Sequence, residues 1–207
     1  MSTSENQALH PGMHLSEEVK INRNPEHEIS PLFLNRWSPR SFTSQQITDA
    51  DLQRILEAAR WAPSSNNLQP WRFYVAKNEA QLGVFKQFIL PFNRVWTDNA
   101  PLLVLLASAK LTPKGDPNGA HAFDTGAAWA HIALQAMLLG LITHAIGGFD
   151  RTKARELLNI PEDLDIHAIV VIGYQGEKEA LNVALQEREK PNQRNPLADS
   201  IVEWKVY

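Results

Sequence analysis

The chain has 207 residues, 43% of them hydrophobic and 21% charged, with a formal net charge of −3. That balance fits one soluble globular domain and gives no reason to expect a nucleic acid or an anionic membrane as partner. The absence of cysteine excludes disulfides, thiolate metal sites, iron–sulfur clusters and a cysteine nucleophile. No signal-peptide core and no apolar run of about 18 residues is present, so a cytoplasmic location is expected.

Residues 1–29 read as a polar arm, irregular or disordered, and 30–207 as a single domain. His10, His14 and His27 sit in that arm at spacings that favour no metal, and no metal site is expected. Thr48-Asp49-Ala50-Asp51 is a capping box, with the Thr48 hydroxyl accepting from a first-turn N–H and Asp51 returning the bond. Leu52, Ile55, Leu56 and Ala59 then mark one face of a helix that Pro63 ends. A strand follows over 71–76, with Trp71, Phe73 and Val75 on one side. Residues 79–90 predict a helix bounded by Pro91, and 102–107 a strand buried on both faces.

The longest predicted helix covers 120–139, apolar almost all round and stopped by Gly140. Such a helix is central or lies in a subunit interface. Asp150 caps a short helix through Leu158. A second buried-type strand covers 167–174, and alternation over 201–206 predicts a terminal strand. The class is α+β, with four or five strands, about five helices and a mixed or largely antiparallel sheet. Neither G-x-G-x-x-G after a strand nor the P-loop pattern occurs, so any nucleotide-like cofactor binds by another architecture.

Four loops carry the chemistry. Arg36, Ser38 and Arg40 alternate in an extended segment and can converge on one ligand. Arginine suits phosphate because its planar fork donates parallel charge-assisted hydrogen bonds and keeps its proton. Pro63-Ser64-Ser65-Asn66-Asn67, followed by Gln69-Pro70-Trp71, holds more polar side chains than a turn needs. Gly147-Gly148 would let backbone approach a flat ring without an intervening Cβ. Arg194 stands in a second basic segment, KPNQRNPL over 190–197. His121, Asp124, His131 and His144 could form an acid–base set, although no triad-like pairing is readable. His144 is the most interesting of them, because it precedes the glycine pair. Without G-x-S-x-G or H-E-x-x-H, a hydrolase has no basis.

R-W-S-P-R over 36–40, P-S-S-N-N-L-Q-P-W over 63–71, the glycine pair, and Arg194 before Pro196-Leu197 and Trp204 resemble, in that order, the FMN-dependent nitroreductase family over about 30–204. The resemblance implies a nitroreductase-like α/β/α sandwich with a mixed, mainly antiparallel sheet. It also implies a homodimer with C-terminal strand exchange and FMN in the interface. NAD(P)H would be the electron donor, and nitroaromatics, quinones or similar conjugated compounds the acceptors, in ping-pong turnover with no side-chain nucleophile. Arg36, Ser38 and Arg194 would anchor the phosphate, with Trp37 beside them. Arg40 would stabilise the charge on the reduced ring, and Asn93 would bond its pyrimidine edge. Pro63, Ser64, Ser65 and Asn67 would come from the partner chain. Ile146, Gly147 and Gly148 would approach N5 and O4. Two departures stand out. Asn192 occupies a position where many members carry Lys, which would leave the phosphate one cation short, and Trp96 falls where some place a Lys near O2. The 110–120 loop would border substrate. The alternative is a flavin store, sensor or regulatory module of the same fold without turnover.

Overall fold

The computed structural model describes residues 14–206. His10 and the rest of 1–13, with Tyr207, lie outside the described residues. Helices α1 (Glu17–Asn22), α2 (Pro31–Asn35) and α3 (Asp49–Arg60) lead into strand β1 (Trp71–Ala76). Helices α4 (Glu79–Phe85) and α5 (Pro91–Thr97) precede β2 (Leu102–Ala109), which is followed by the long α6 (His121–Leu138). Then come β3 (Ile142–Ile146), α7 (Arg151–Leu157), β4 (Leu164–Gly173) and α8 (Val183–Gln186).

The four strands form one sheet in the order β1-β2-β4-β3, and every pairing is antiparallel. Side-chain alternation gives this sheet two cores. Leu102, Val104 and Leu106 of β2, with Val170 and Ile172 of β4, pack against Leu52, Ile55 and Ala59 of α3 and Ala128, Ile132 and Ala136 of α6. Leu103, Leu105, Ile169 and Val171 face the other way, onto Phe85, Trp96 and Ala154 of α4, α5 and α7. The result is a helix–sheet–helix sandwich. No helix among the described residues is long and apolar enough to cross a membrane.

Most local signals act as the sequence predicts. The Thr48 Oγ1 accepts from the Asp51 N–H, but the Asp51 carboxylate accepts in turn from the Thr48 hydroxyl, at 2.8 Å, instead of from a backbone N–H. Asp150 caps α7 through the Lys153 N–H, and α6 ends just before Gly140, whose φ of +75° suits glycine.

Three predicted elements differ. The polar arm is not irregular throughout: Ser16 caps α1, whose Val19 is fully buried. The helix predicted over 79–90 stops at Phe85, and Pro91 begins α5 instead of closing a helix. Proline at the first helical position loses only an N–H that has no intrahelical acceptor, so it starts a helix as readily as it stops one. The strand predicted over 201–206 is unpaired extended chain, with Val202 81% and Trp204 79% exposed. Alternation marks a segment able to pair, but an edge must be present to receive it.

Candidate functional site

A cleft of about 630 Å³ opens beside the C-cap of α2. The chain leaves α2 at Arg36 in extended conformation, so Arg36, Ser38 and Arg40 all reach the cleft, with Trp37. The opposite wall comes from about 150 residues later: Glu187, Arg188, Lys190, Asn192 and Arg194. Arg23, just past α1, and His144 of β3 complete it. Six cationic side chains (Arg23, Arg36, Arg40, Arg188, Lys190 and Arg194) thus face a single carboxylate, Glu187, in a protein of net charge −3.

Two connections, one buried and one half-buried, hold the walls together. The Glu189 side chain is 3% exposed and accepts the Arg40 N–H at 2.7 and 3.0 Å and the Ser41 N–H at 2.9 Å. The Arg23 guanidinium donates to the carbonyls of Leu34 and Arg36 and to that of Asn192 at 3.1 Å, which ties three segments together. Its Nη2 is buried without a partner among the described residues.

The electrostatics record crowding of like charge. Arg23 and Arg36 have their pKa pushed down, first by burial and then by neighbouring arginines, Arg194 in both cases. Arg40 is pushed down by burial and by Arg188, against the pull of Glu189. Arginine stays charged regardless, so the cluster carries a repulsion that an anion in the cleft would relieve.

His144 is held neutral. Burial drives its pKa down to about 4, with Arg40 and Arg188 pushing the same way and the Pro39 carbonyl opposing. A carbonyl only accepts, so Nδ1, 2.9 Å from the Pro39 oxygen, carries the proton. The unfolded chain therefore takes up a proton near pH 6.5 that the folded chain refuses until about 4. Stability is full above pH 6.5 and is lost as pH falls toward 4. Urea midpoints at pH 7 and pH 5 are expected to show a loss of about 1–2 kcal/mol from this group. That loss should shrink in His144→Gln, and an unchanged difference would remove His144 as the cause.

The other sequence-predicted residues are arranged as follows. Pro63, Ser64, Ser65 and Asn67 do not line this cleft within one chain. Their loop is nonetheless tightly built: Asn66, Asn67 and Gln69 all have φ near +50°. The buried Asp124 carboxylate accepts the Ser65 N–H at 3.0 Å, and Ser64 Oγ accepts the Gln69 N–H. Backbone held in the left-handed region by non-glycine residues costs on the order of 1 kcal/mol or more per residue, and such strain clusters at functional loops.

Ile146 is 4% exposed and its side chain belongs to the core, which leaves only its backbone for a ligand. Gly148 leaves room inside the fold for two side-chain tips, since a Cβ there would come within 2.6 Å of Asn93 Nδ2 and Phe92 Cζ, which would have to shift. The Asn93 amide already donates to the Gly148 carbonyl at 3.1 Å. Gly147 has open space where a Cβ would stand.

Trp96 does not border the cleft. It is 3% exposed, with its ring against Phe42 and His144. Asn192 does not leave the site short of cations either. Its Oδ1 accepts from Arg194 at 3.2 Å, and Arg23, Arg188 and Lys190 stand in the same wall. Sequence reasoning gave none of the three a role: Arg23 and Arg188 belong to no recognisable motif, and Lys190 entered only as the first residue of the 190–197 basic segment. His121, Asp124, His131 and His144 do not assemble, as each bonds to a different group: Ser108, Ser65, Ala58 and Pro39.

The nitroreductase family model matches residues 34–94 and 85–174, which takes in one wall of the cleft, the 63–71 loop and the glycine pair. The chain belongs to the nitroreductase family. A relative from Archaeoglobus fulgidus, named as a provisional NADH dehydrogenase/NAD(P)H nitroreductase, is 33% identical over 151 residues, 71% of this chain and 85% of its own length. The NADH dehydrogenase of Thermus thermophilus is 29% identical over 70% of this chain and 85% of its own. Among solved structures, an oxidoreductase containing FMN superposes with a TM-score of 0.85 and 39% identity, over 89% of this chain and 96% of that one. The basic 188–194 segment lies beyond the family match, and of its three cations the sequence assigned only Arg194 to the site.

Proposed function

We propose that this nitroreductase is an FMN-dependent oxidoreductase that uses NAD(P)H to reduce nitroaromatic, quinone or similar conjugated acceptors. One observation carries the reading: six cations from three distant segments meet in one cleft, with a buried guanidinium nitrogen of Arg23 lacking a partner among the described residues. That donor set fits a phosphate monoester, which offers several acceptor oxygens and about two negative charges. The relative whose structure contains FMN supports the choice of group.

Bound FMN would supply the redox chemistry, accepting hydride from a nicotinamide and passing electrons to the acceptor in ping-pong turnover. The residues supply position and charge. Arg36, Ser38 and Arg194 hold the phosphate, and Arg23, Arg188 and Lys190 add to the field. Arg40, fixed through its backbone to Glu189, would place a positive charge at the edge of the ring system. Gly147, with open space where a Cβ would stand, would let backbone approach the ring system.

The reading includes a homodimer. The strained 63–69 loop lies outside its own chain's cleft, and Val202 and Trp204 stay exposed, 81% and 79%, among the described residues. A second copy offers both a receiver: Pro63, Ser64, Ser65 and Asn67 would face the partner's flavin, and the tail would pair with the partner's surface.

The absorption spectrum of the purified protein tests the function. A flavin spectrum bleached by NADH or NADPH and restored by a nitroaromatic or quinone is expected. A flavin spectrum that neither nicotinamide bleaches would instead favour a store or sensor of the same fold. Replacing Arg40 by alanine is expected to lower the flavin midpoint potential by about 30–60 mV with FMN still bound, as loss of one charge-assisted interaction requires. Equal potentials by spectroelectrochemistry would remove that role from Arg40.

A further inference from the structure

We propose a second, independent site: His121, Asp165 and His167 bind a divalent transition metal that clamps the first turn of α6 to strand β4. One ring nitrogen of each histidine and one carboxylate oxygen of Asp165 all lie within 4.8 Å of one another, and the carboxylate is exposed. None of the three lines the cationic cleft.

The backbone is shaped to make this meeting. Ser108 and Asp165 are cross-strand partners, so their side chains leave the sheet on the same face. That is the α6 face, since Leu102, Val104 and Leu106 of the same strand pack there. His167 is of the wrong parity: Ile169 and Val171, two and four residues on, face the opposite core. A β-bulge corrects it. Leu106 pairs with Ala168 but Ala107 pairs with Ile166, which leaves His167 as the extra residue. Bulges re-aim side chains in this way, and here the result is His167 Nε2 only 2.6 Å from Ser108 Oγ.

Ser108 orients both rings. Its hydroxyl lies 2.7 Å from His121 Nδ1 as well. Without metal, one ring accepts the single hydroxyl proton and the other donates to the oxygen; with metal on His121 Nε2 and His167 Nδ1, both rings would donate N–H to the two lone pairs of Ser108 Oγ, as ligand histidines do to their outer partners. Ser108 is fully buried, so no substrate reaches it as a nucleophile. Two imidazoles and one carboxylate suit Zn²⁺, Co²⁺ or Ni²⁺ over Mg²⁺ or Ca²⁺, with water completing the shell. Arg151, which donates to the His167 carbonyl at 3.1 Å, is a fixed opposing charge and limits the affinity. Ser108 and His121 flank the 109–120 loop, so a metal here would staple the base of that loop.

The test uses the purified full-length protein, stripped with chelator and dialysed against Zn²⁺. One Zn²⁺ per chain is expected, with the melting temperature raised about 5–10 °C at Zn²⁺ 100-fold above Kd. His167→Gln and Asp165→Asn should each weaken binding tenfold or more and abolish the rise. Replacing His10, His14 and His27 by Gln should leave both unchanged. Asp165 is exposed, so Asp165→Asn reports even if a histidine variant fails to fold. Absence of Zn²⁺ binding to the parent, or equal binding by Asp165→Asn, would overturn the site.

Discussion

Replacing Arg36 by alanine is expected to weaken FMN binding about 10- to 150-fold, the loss of one strong charge-assisted contact. Arg36 is half-buried between Arg23 and Arg194, so its interaction with an anion is poorly screened by solvent. Arg194 is exposed and holds its guanidinium against Asn192 and Gln193. Arg194→Ala should therefore cost less, and its cost should fade at high salt while that of Arg36→Ala persists. The two changes share one ligand group and are not expected to add. Riboflavin, which lacks the phosphate, separates binding from folding: its affinity should be nearly the same in parent and Arg36→Ala. Fluorescence titration with both ligands measures this. An equal loss for riboflavin and FMN would mean that Arg36 supports the fold and not the phosphate.

Glu189→Ala is expected to destabilise the protein by about 2–5 kcal/mol, the largest stability effect of any single change in the cleft. The carboxylate is buried and is the acceptor for the backbone N–H groups of both Arg40 and Ser41. Alanine would leave two buried donors without an acceptor and detach the 36–41 segment from the wall that carries Arg188 and Lys190. Glu189→Gln keeps the shape and one acceptor oxygen and should recover part of the loss. Urea unfolding monitored by circular dichroism checks the stability. Hydrogen exchange at Arg40 and Ser41 should rise in the alanine variant beyond the global change. A loss under 1 kcal/mol with unchanged protection would show that water replaces the carboxylate and that Glu189 does not hold the site together.

These two residues show where sequence reading stops. Arg36 was legible because its neighbours Ser38 and Arg40 alternate with it in one short extended stretch. Glu189 was not, because an acidic residue in a polar segment looks solvated until the fold buries it. Arg23 is a similar case: it sits in an arm whose composition suggests irregular chain, yet it bonds across to Leu34, Arg36 and Asn192. Trp96 shows the opposite case: it stands at a position where some family members place a Lys, and its aromatic surface is packed away against Phe42 and His144.

Properties set within a few residues were written in the chain. They include the caps at Thr48 and Asp150, the apolar stripe of α3, the two-faced strands at 71–76 and 102–107, and the stop at Gly140. Each depends on periodicity or on a backbone angle, which neighbouring residues decide. The tertiary structure alone decided which cations converge, that a bulge turns His167 toward Ser108, that Pro91 opens a helix, and that residues 201–206 find no strand to pair with among the described residues. Those outcomes depend on groups far apart in sequence being brought together, and no local pattern encodes the distance between them.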